Sequence, residues 1–519
     1  MLWKQLIQRS IWRWSIKDGL KDPETLLAIL LREFLVDISD IFGYYFSMNK
    51  KYITTTLAYV NAEPHIGYAW EITRADIWAR FARQQGNEVF FNTGTDEHGA
   101  KIFERAKELG QDAQAYCDEQ VAKFKNLKES LNLSFDNFIR TTDAHHISAV
   151  QEFWQQAKNN GYIYKKHYKI KYCVGCELEK TDSELVDEKC PLHPNREIDI
   201  VEEENYFFKF SVFQQQLLDL YKNNPEFVVP AKRFNEIKKF VEMGPEDFSV
   251  SRLKSKMPWG IAVPDDAEHV MYVWFDALAN YISAIGYPDD MKKFDSWWPG
   301  IQVAGKDNLR QQSAMWQAML MAVKLPPSKQ IFINSFLTSG GQKMSKSLGN
   351  VISPSEMVAK FGVDGTRYIL ASWNSFGEDI DITWESLTEK YNAELANGLG
   401  NLVSRVFNII EKNFEGKIKV KKIEIEIAQE MEGLKFSEAI EKVKDKIDWA
   451  NKYIDKTKLW ELIKNDKDKS QKILAELLGV ILAVGEALVP IIPDSARKIL
   501  DRAKANKIEK GEGLFLRVK

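Results

Sequence analysis

Three short stretches of this 519-residue chain carry side chains at spacings that suit chemistry. The first, His65-Ile66-Gly67-Tyr68, follows the strand-like run YITTTLAYV at a strand-to-helix turn. Gly67 would let a nucleotide approach the backbone closely there, and His65 can donate to phosphate oxygens. The second, residues 339–350 (SGGQKMSKSLGN), joins glycines, Lys343, Lys346 and hydroxyls such as Ser345 without helical or strand period. Such a loop can fold over a triphosphate, with lysines supplying charge while hydroxyls and amides supply donors. The third sets Cys173-x-x-Cys176 ahead of Cys190-x-x-His193. Three thiolates and one imidazole in two knuckle-like pairs suit a closed, tetrahedral, structural zinc site. Cys117, on an amphipathic helical pattern, reads as a small buried hydrophobe. Taken singly, the three stretches also fit a solvated turn histidine, a basic surface loop and a reduced thiol loop.

These residues need a scaffold, and the hydrophobic pattern supplies one. Across residues 48–160, strands alternate with helical stretches in the βαβ rhythm of a doubly wound parallel sheet. Residues 161–250, with the cysteine cluster and short aromatic strands, read as an insertion that splits this sheet. Alternation resumes over 251–334, starting with HVMYVWFDALANYISAIG, and 335–385 carries the lysine-rich loop. From 386 to 519 the pattern is amphipathic helix alone. The piece GKIKVKKIEIEI within it reads as a linker or an edge strand. Residues 1–47 hold Trp, Leu and Ile at helical spacing, and Met48, just before the first strand, is a candidate start.

Composition narrows the class. Hydrophobic residues at 45% and charged residues at 28% are ordinary for soluble globular chains. A net charge of -3 means that a polyanion would be gripped by local patches and not by a global field. Four cysteines make no disulfide framework and suggest a reducing compartment. The most apolar stretches are broken by Arg32, Glu33 and Asp37, and by Glu486 and Pro490, so no membrane span and no secretion signal is expected. A cytoplasmic protein is expected from these readings, and the end of the chain, without an obvious added module, suggests a monomer.

His65-Ile66-Gly67-Tyr68 resembles the His-Ile-Gly-His signature of class I aminoacyl-tRNA synthetases, and residues 343–347 match their Lys-Met-Ser-Lys-Ser loop. AYVNAEPHIG, TGTDEHG, YVWFDAL, GKDNLR and ITWESL…YNAELANGLGNLVSR are similar, in order and spacing, to the methionyl-tRNA synthetases, over residues 50–464. That resemblance implies a Rossmann-type catalytic domain split by a zinc-bearing connective insertion and followed by a helical anticodon-binding domain. It implies activation of methionine by ATP, accompanied by Mg²⁺, and transfer of the methionyl group to tRNA(Met). His65, Gly67, Tyr68, Lys343, Ser345 and Lys346 would then serve ATP and catalysis. Tyr59, Asp96, Trp274, Ala277, Tyr281 and Gln312 would form the methionine pocket, where a carboxylate suits an ammonium and aromatic rings suit a thioether. Asn401, Arg405 and Trp460 would read the anticodon, and Cys173, Cys176, Cys190 and His193 would hold Zn²⁺.

Two positions depart from the pattern. Tyr68 stands where the signature has its second histidine, and Gln312 where the family commonly has a histidine facing methionine. They keep open a tRNA-binding paralogue without catalysis. A synthetase for leucine, isoleucine or valine is the nearer rival, but its editing domain would exceed the insertion present.

Overall fold

The computed structural model describes residues 50–176, 178–180, 184–343, 352–374 and 376–519. The chain divides into two compact units, residues 1–50 with 86–88 and residues 51–85 with 89–519. In the first, the described residues are Lys50 and the 86–88 segment, where Gly86 takes a φ of +83°. Residues 1–47 and Met48 lie outside the described residues.

Short runs of β-branched and aromatic residues build the central sheet. Its strands are β1 (Lys50–Thr55), β2 (Ala58–Tyr59), β3 (Glu88–Asp96), β4 (Asn137–Arg140), β5 (Val228–Val229), β6 (Ile301–Gly305) and β7 (Gln330–Asn334). They lie in the order β2, β3, β1, β6, β7, β5, with β4 also paired to β3. The β1–β6, β6–β7, β7–β5, β2–β3 and β3–β4 pairings are parallel. Parallel neighbours need crossovers, and helices on both faces bury the strands, which is why Ile331, Phe332 and Ile333 run apolar without alternation. The expected Rossmann-type sheet is the one observed.

One face packs against α1 (Ile66–Gln84) and, in one continuous apolar cluster, against the helices of the C-terminal half: Ile53, Val303 and Phe332 share it with residues as distant as Ile499. The other face, with Ile331 and Ile333, packs against the helix Ala144–Asn159 and the segment Trp316–Ala322. The inserted stretch forms an antiparallel ribbon of Ile163–Cys173 with Asp199–Phe208, in register from Ile163 opposite Phe208 to Tyr172 opposite Asp199. It also donates β5 to the edge of the main sheet.

Two details depart from the sequence expectation. Strand Asp266–Met271, from the run read as resuming the main sheet, belongs to a separate antiparallel sheet with Ser251–Leu253 and Ala262–Val263. Its partners are close in sequence, so the cost of closing the loop is small. Residues 417–427 of GKIKVKKIEIEI form neither strand nor helix. α2 (Pro354–Ala371) precedes the short strand Ile380–Asp381, and beyond that strand the regular elements among the described residues are all helices, including α3 (Asn401–Asn413), α4 (Phe436–Lys456) and α5 (Lys467–Leu488). No helix among the described residues is long and apolar enough to cross a membrane.

Candidate active site

The carboxyl ends of β1, β3, β6 and β7 form one edge, the place where doubly wound sheets bind ligands. α1 opens there with His65 as its N-cap, whose Nδ1 accepts from the Tyr68 backbone N–H at 3.3 Å. A Cβ on Gly67 would lie 3.0 Å from the imidazole, so only glycine lets the ring fold back over the helix end without a shift. His65 is exposed, and the first turn of α1 offers N–H groups to an anion. Tyr68 does not join it. Its ring packs edge-on against Phe124, its hydroxyl is 3.0 Å from Thr93 Oγ1, and Thr93 in turn meets Thr55. The expectation of a phosphate-facing phenol is corrected: Tyr68 lies on the inward stripe of α1 and acts in packing.

Of the residues expected to hold methionine, the sheet brings Tyr59 and Asp96 directly opposite each other in the β2–β3 pairing. Gly99, at φ +118°, makes room for the Tyr59 hydroxyl, which a Cβ would meet at 2.7 Å. Trp274, Ala277 and Tyr281 follow at helical spacing on the short helices Val273–Leu278 and Asn280–Ser283. The Tyr281 hydroxyl accepts a hydrogen bond from Gln312 Nε2. Gln312 sits in a π-helical stretch, Gln311–Met315, a backbone irregularity frequent at functional sites. Between Trp274 and Ala277, buried Asp276 bonds His98 Nδ1 at 2.6 Å and His146 Nε2 at 2.9 Å. Burial pushes the Asp276 carboxyl up, but the two imidazoles outweigh it and hold it below its ordinary range. This bridge, absent from the sequence reading, ties the helix Val273–Leu278 to the end of β3.

Glu71, on the second turn of α1, was also missed. It accepts from the Thr56 N–H at 2.9 Å and from the Thr56 hydroxyl. Burial pushes its carboxyl up to about 8, against those hydrogen bonds, and the Asp307 carboxylate adds to the rise. The available signal was an ionisable residue amid the otherwise buried helix face of AWEITRADIW. Raised above the unfolded value of about 4.3, the group holds its proton more tightly folded than unfolded. Its contribution to stability is therefore complete below about pH 4 and is lost as pH rises toward 8, at up to about 1.4 kcal/mol per unit. Glu71→Gln removes that slope: in thermal melts the variant should gain on the parent at pH 8 relative to pH 5. An equal difference at both pH values would remove Glu71 from the pH dependence.

The lysine-rich stretch starts as a hairpin, a correction to the irregular loop expected. Leu337–Ser339 pairs antiparallel with Gln342–Lys343 around Gly340 and Gly341, whose φ values of +62° and +73° fit a two-residue primed turn. The glycines thus serve the turn. Asp381 accepts from Gly341 N–H at 2.8 Å and from the Thr338 hydroxyl at 3.0 Å, fixing the hairpin. The Lys343 backbone belongs to it, while Ser345 and Lys346 lie outside the described residues.

With that geometry in place, comparison with known proteins is decisive. The family model described as tRNA synthetases class I (M) matches residues 51–199 and 179–407. The chain belongs to this family. The methionine–tRNA ligase of Thermotoga maritima is 42% identical over 474 residues, 87% of this chain and 75% of that protein. That of Rickettsia typhi is 39% identical over 482 residues, 89% of this chain and 94% of its own. A solved structure of the Mycobacterium tuberculosis methionyl-tRNA synthetase with methionyl-adenylate superposes with a TM-score of 0.83 at 34% identity, covering 90% of this chain and 100% of that one.

In this class I synthetase the knuckle residues converge. The ligand atoms of Cys173, Cys176, Cys190 and His193 all lie within 4.8 Å of one another. Cys176 Sγ is 3.4 Å from Cys190 Sγ, and His193 Nδ1 is 3.8, 3.2 and 3.9 Å from Cys173, Cys176 and Cys190. Zinc bonds of about 2.0–2.3 Å in a tetrahedron give ligand–ligand edges of about 3.5–3.8 Å, so the set fits the ion. A Cβ on Gly175 would lie 2.4 Å from the His193 ring, so glycine is required at that turn. Cys117 stays apart, buried with its Sγ 3.5 Å from the Glu97 carbonyl.

Among the helices of the synthetase, Asn401 and Arg405 are one turn apart on α3. They face Asn451 and Asp455, one turn apart on α4, through bonds from Asn401 Nδ2 and Arg405 Nη2. Trp460, 48% exposed, follows Lys458, whose φ of 44° breaks the chain direction after α4. An exposed indole is available for stacking; Arg405 would exchange an exposed carboxylate for a new partner at little cost.

Proposed function

We propose that the protein is a methionine–tRNA ligase: it activates methionine with ATP to methionyl-adenylate and passes the methionyl group to the 3′ end of tRNA(Met). The methionine carboxylate attacks the α-phosphorus in line, a P–O bond forms as the bond from the α-phosphorus to the bridging oxygen breaks, and pyrophosphate leaves; Mg²⁺ accompanying ATP would offset its charge. No enzyme nucleophile is needed, so catalysis rests on positioning and on stabilising phosphate charge. His65 and the α1 N-terminus take the phosphates beside Gly67, joined by Lys343, Ser345 and Lys346. Asp96 holds the methionine ammonium, Tyr59, Trp274, Ala277 and Tyr281 enclose the side chain, and Gln312 orients Tyr281. Asn401, Arg405 and Trp460 read the anticodon. Zn²⁺, held by Cys173, Cys176, Cys190 and His193, would fix the insertion's fold. The division is a catalytic domain over 48–160 and 251–334, a connective insertion over 161–250, a junction over 335–385 and an anticodon domain over 386–519, in a monomer working in the cytoplasm.

The observation that carries this reading is the edge itself: Tyr59 and Asp96 on one side of β1, His65 at the turn from β2 into α1, and Gly305 on the other side of β1. Amino-acid-dependent ATP–pyrophosphate exchange tests it. Methionine alone should give signal among the standard amino acids. Signal with leucine, isoleucine or valine would favour the rival specificities, and tRNA binding with no exchange would favour a non-catalytic paralogue.

A further inference from the structure

One side chain reaches from the methionine end of the sheet edge to the cysteine knuckle. Lys101 stands in the first turn of the helix Ala100–Glu108, whose N-cap is Gly99. Its Nζ donates to the Gly175 carbonyl at 2.8 Å, across 74 positions of sequence. The same ammonium lies 6.0 Å from the centre of the Tyr59 ring, within reach of the negative face of that ring. The Tyr59 hydroxyl rests against Gly99. Tyr59 is therefore seated by the helix start at its hydroxyl and by Lys101 over its ring.

The far end of this contact is part of the metal-binding turn. The Cys176 N–H donates to the Cys173 carbonyl at 3.2 Å, and Gly175, between these two ligands, packs against the ring of a third, His193. Zn²⁺ bound there would fix the turn that aims the Gly175 carbonyl. Three thiolates and a neutral imidazole leave a divalent ion with one surplus negative charge, so the loaded knuckle also favours a nearby ammonium. A charge-assisted hydrogen bond from Lys101 uses both effects, the fixed direction and the surplus charge.

We propose that Lys101 is a positioning residue that couples the knuckle to the methionine pocket: it seats Tyr59 fully only while a loaded knuckle holds the Gly175 carbonyl in place. Zinc and methionine then strengthen each other's binding by the same factor, as linkage requires. The inference rests on the methionine reading of the pocket above.

Lys101→Leu tests it in the full chain. In the parent, zinc affinity read by competition with a chromophoric chelator should rise about fivefold or more when methionine is saturating, the low end for coupling between sites. Methionine affinity read by calorimetric titration should fall by the same factor once the chelator has stripped the parent. In zinc-loaded Lys101→Leu, methionine affinity should already stand at the level of the stripped parent, and neither ligand should alter the other's affinity. Its KM for methionine should rise, with kcat and KM for ATP changed less than about twofold, since uniform binding and not the chemical step is lost. Lys101→Arg, which keeps charge and donor, should recover part of the coupling. Parental coupling in Lys101→Leu, no coupling in the parent, or an arginine variant as deficient as the leucine one overturns the inference. A parent that shows the coupling but supports no exchange sinks the activation reading alone, because both titrations are read without turnover.

Discussion

Lys346→Ala should lower methionine-dependent ATP–pyrophosphate exchange by about 10²–10³-fold, equivalent to about 3–4 kcal/mol of transition-state stabilisation. The reaction proposed contains no covalent enzyme intermediate, so charge placed on the pentacoordinate phosphorus is what the protein can act on. The hairpin ahead of Lys346 is fixed at its turn by Asp381, which bonds Gly341 and Thr338. Removing the lysine three positions beyond Lys343 takes away a cation from a stretch whose sequence has no helical or strand period. The melting temperature should stay within about 1 °C, since taking a charge from a stretch without core periodicity alters stability little. Lys346→Arg should recover part of the rate, because the charge remains while the planar guanidinium presents it differently. Exchange at the parental level in Lys346→Ala would refute the role.

How much of this was legible beforehand depends on the range of each interaction. Turn chemistry is local, so the His65-Ile66-Gly67 corner, the two cysteine knuckles and the parallel βαβ rhythm were readable as they stand. Orientation was readable too, had phase been followed: Tyr68, Ile72, Ala75 and Ala79 recur at helical spacing and are all buried, which fixes the phenol inward. Long-range pairing left no such trace. β5 is two residues long and takes its place only because β7 offers an edge. The partners of Asp276, at His98 and His146, lie 178 and 130 positions away. Nor does helical period alone reveal that the C-terminal helices share a core with the sheet; that union depends on which stripe faces which.

That union centres on a buried ion pair, and breaking it should produce the largest stability loss. Asp76 on α1 and Arg367 on α2 are both fully buried, with Arg367 Nη2 2.7 Å from Asp76 Oδ2. Arg367 also donates to the carbonyls of Ile491 at 2.9 Å, Pro490 at 3.0 Å and Leu131 at 2.9 Å, so one guanidinium joins the sheet domain to the helices. Burial pushes the Asp76 carboxyl up, but Arg367, Arg80 and the Ser134 hydroxyl outweigh it and hold it below its usual range. Because its folded value is depressed, its contribution is present above the unfolded carboxylate pKa and is lost as pH falls through the folded one. Asp76→Ala leaves a cation buried without its counter-charge, a change worth about 3–5 kcal/mol of destabilisation at neutral pH. Denaturant titration should show that loss at pH 7, and a smaller one in acid, where the parent carboxylate is itself protonated. Arg367→Met in the same chain should restore part of it, since removing both charges leaves no buried ion to solvate, although three carbonyls lose their donor. If the double variant were as unstable as the sum of the two singles, the charges would act independently, and the pairing across α1 and α2 would not be what holds the two parts of the chain together.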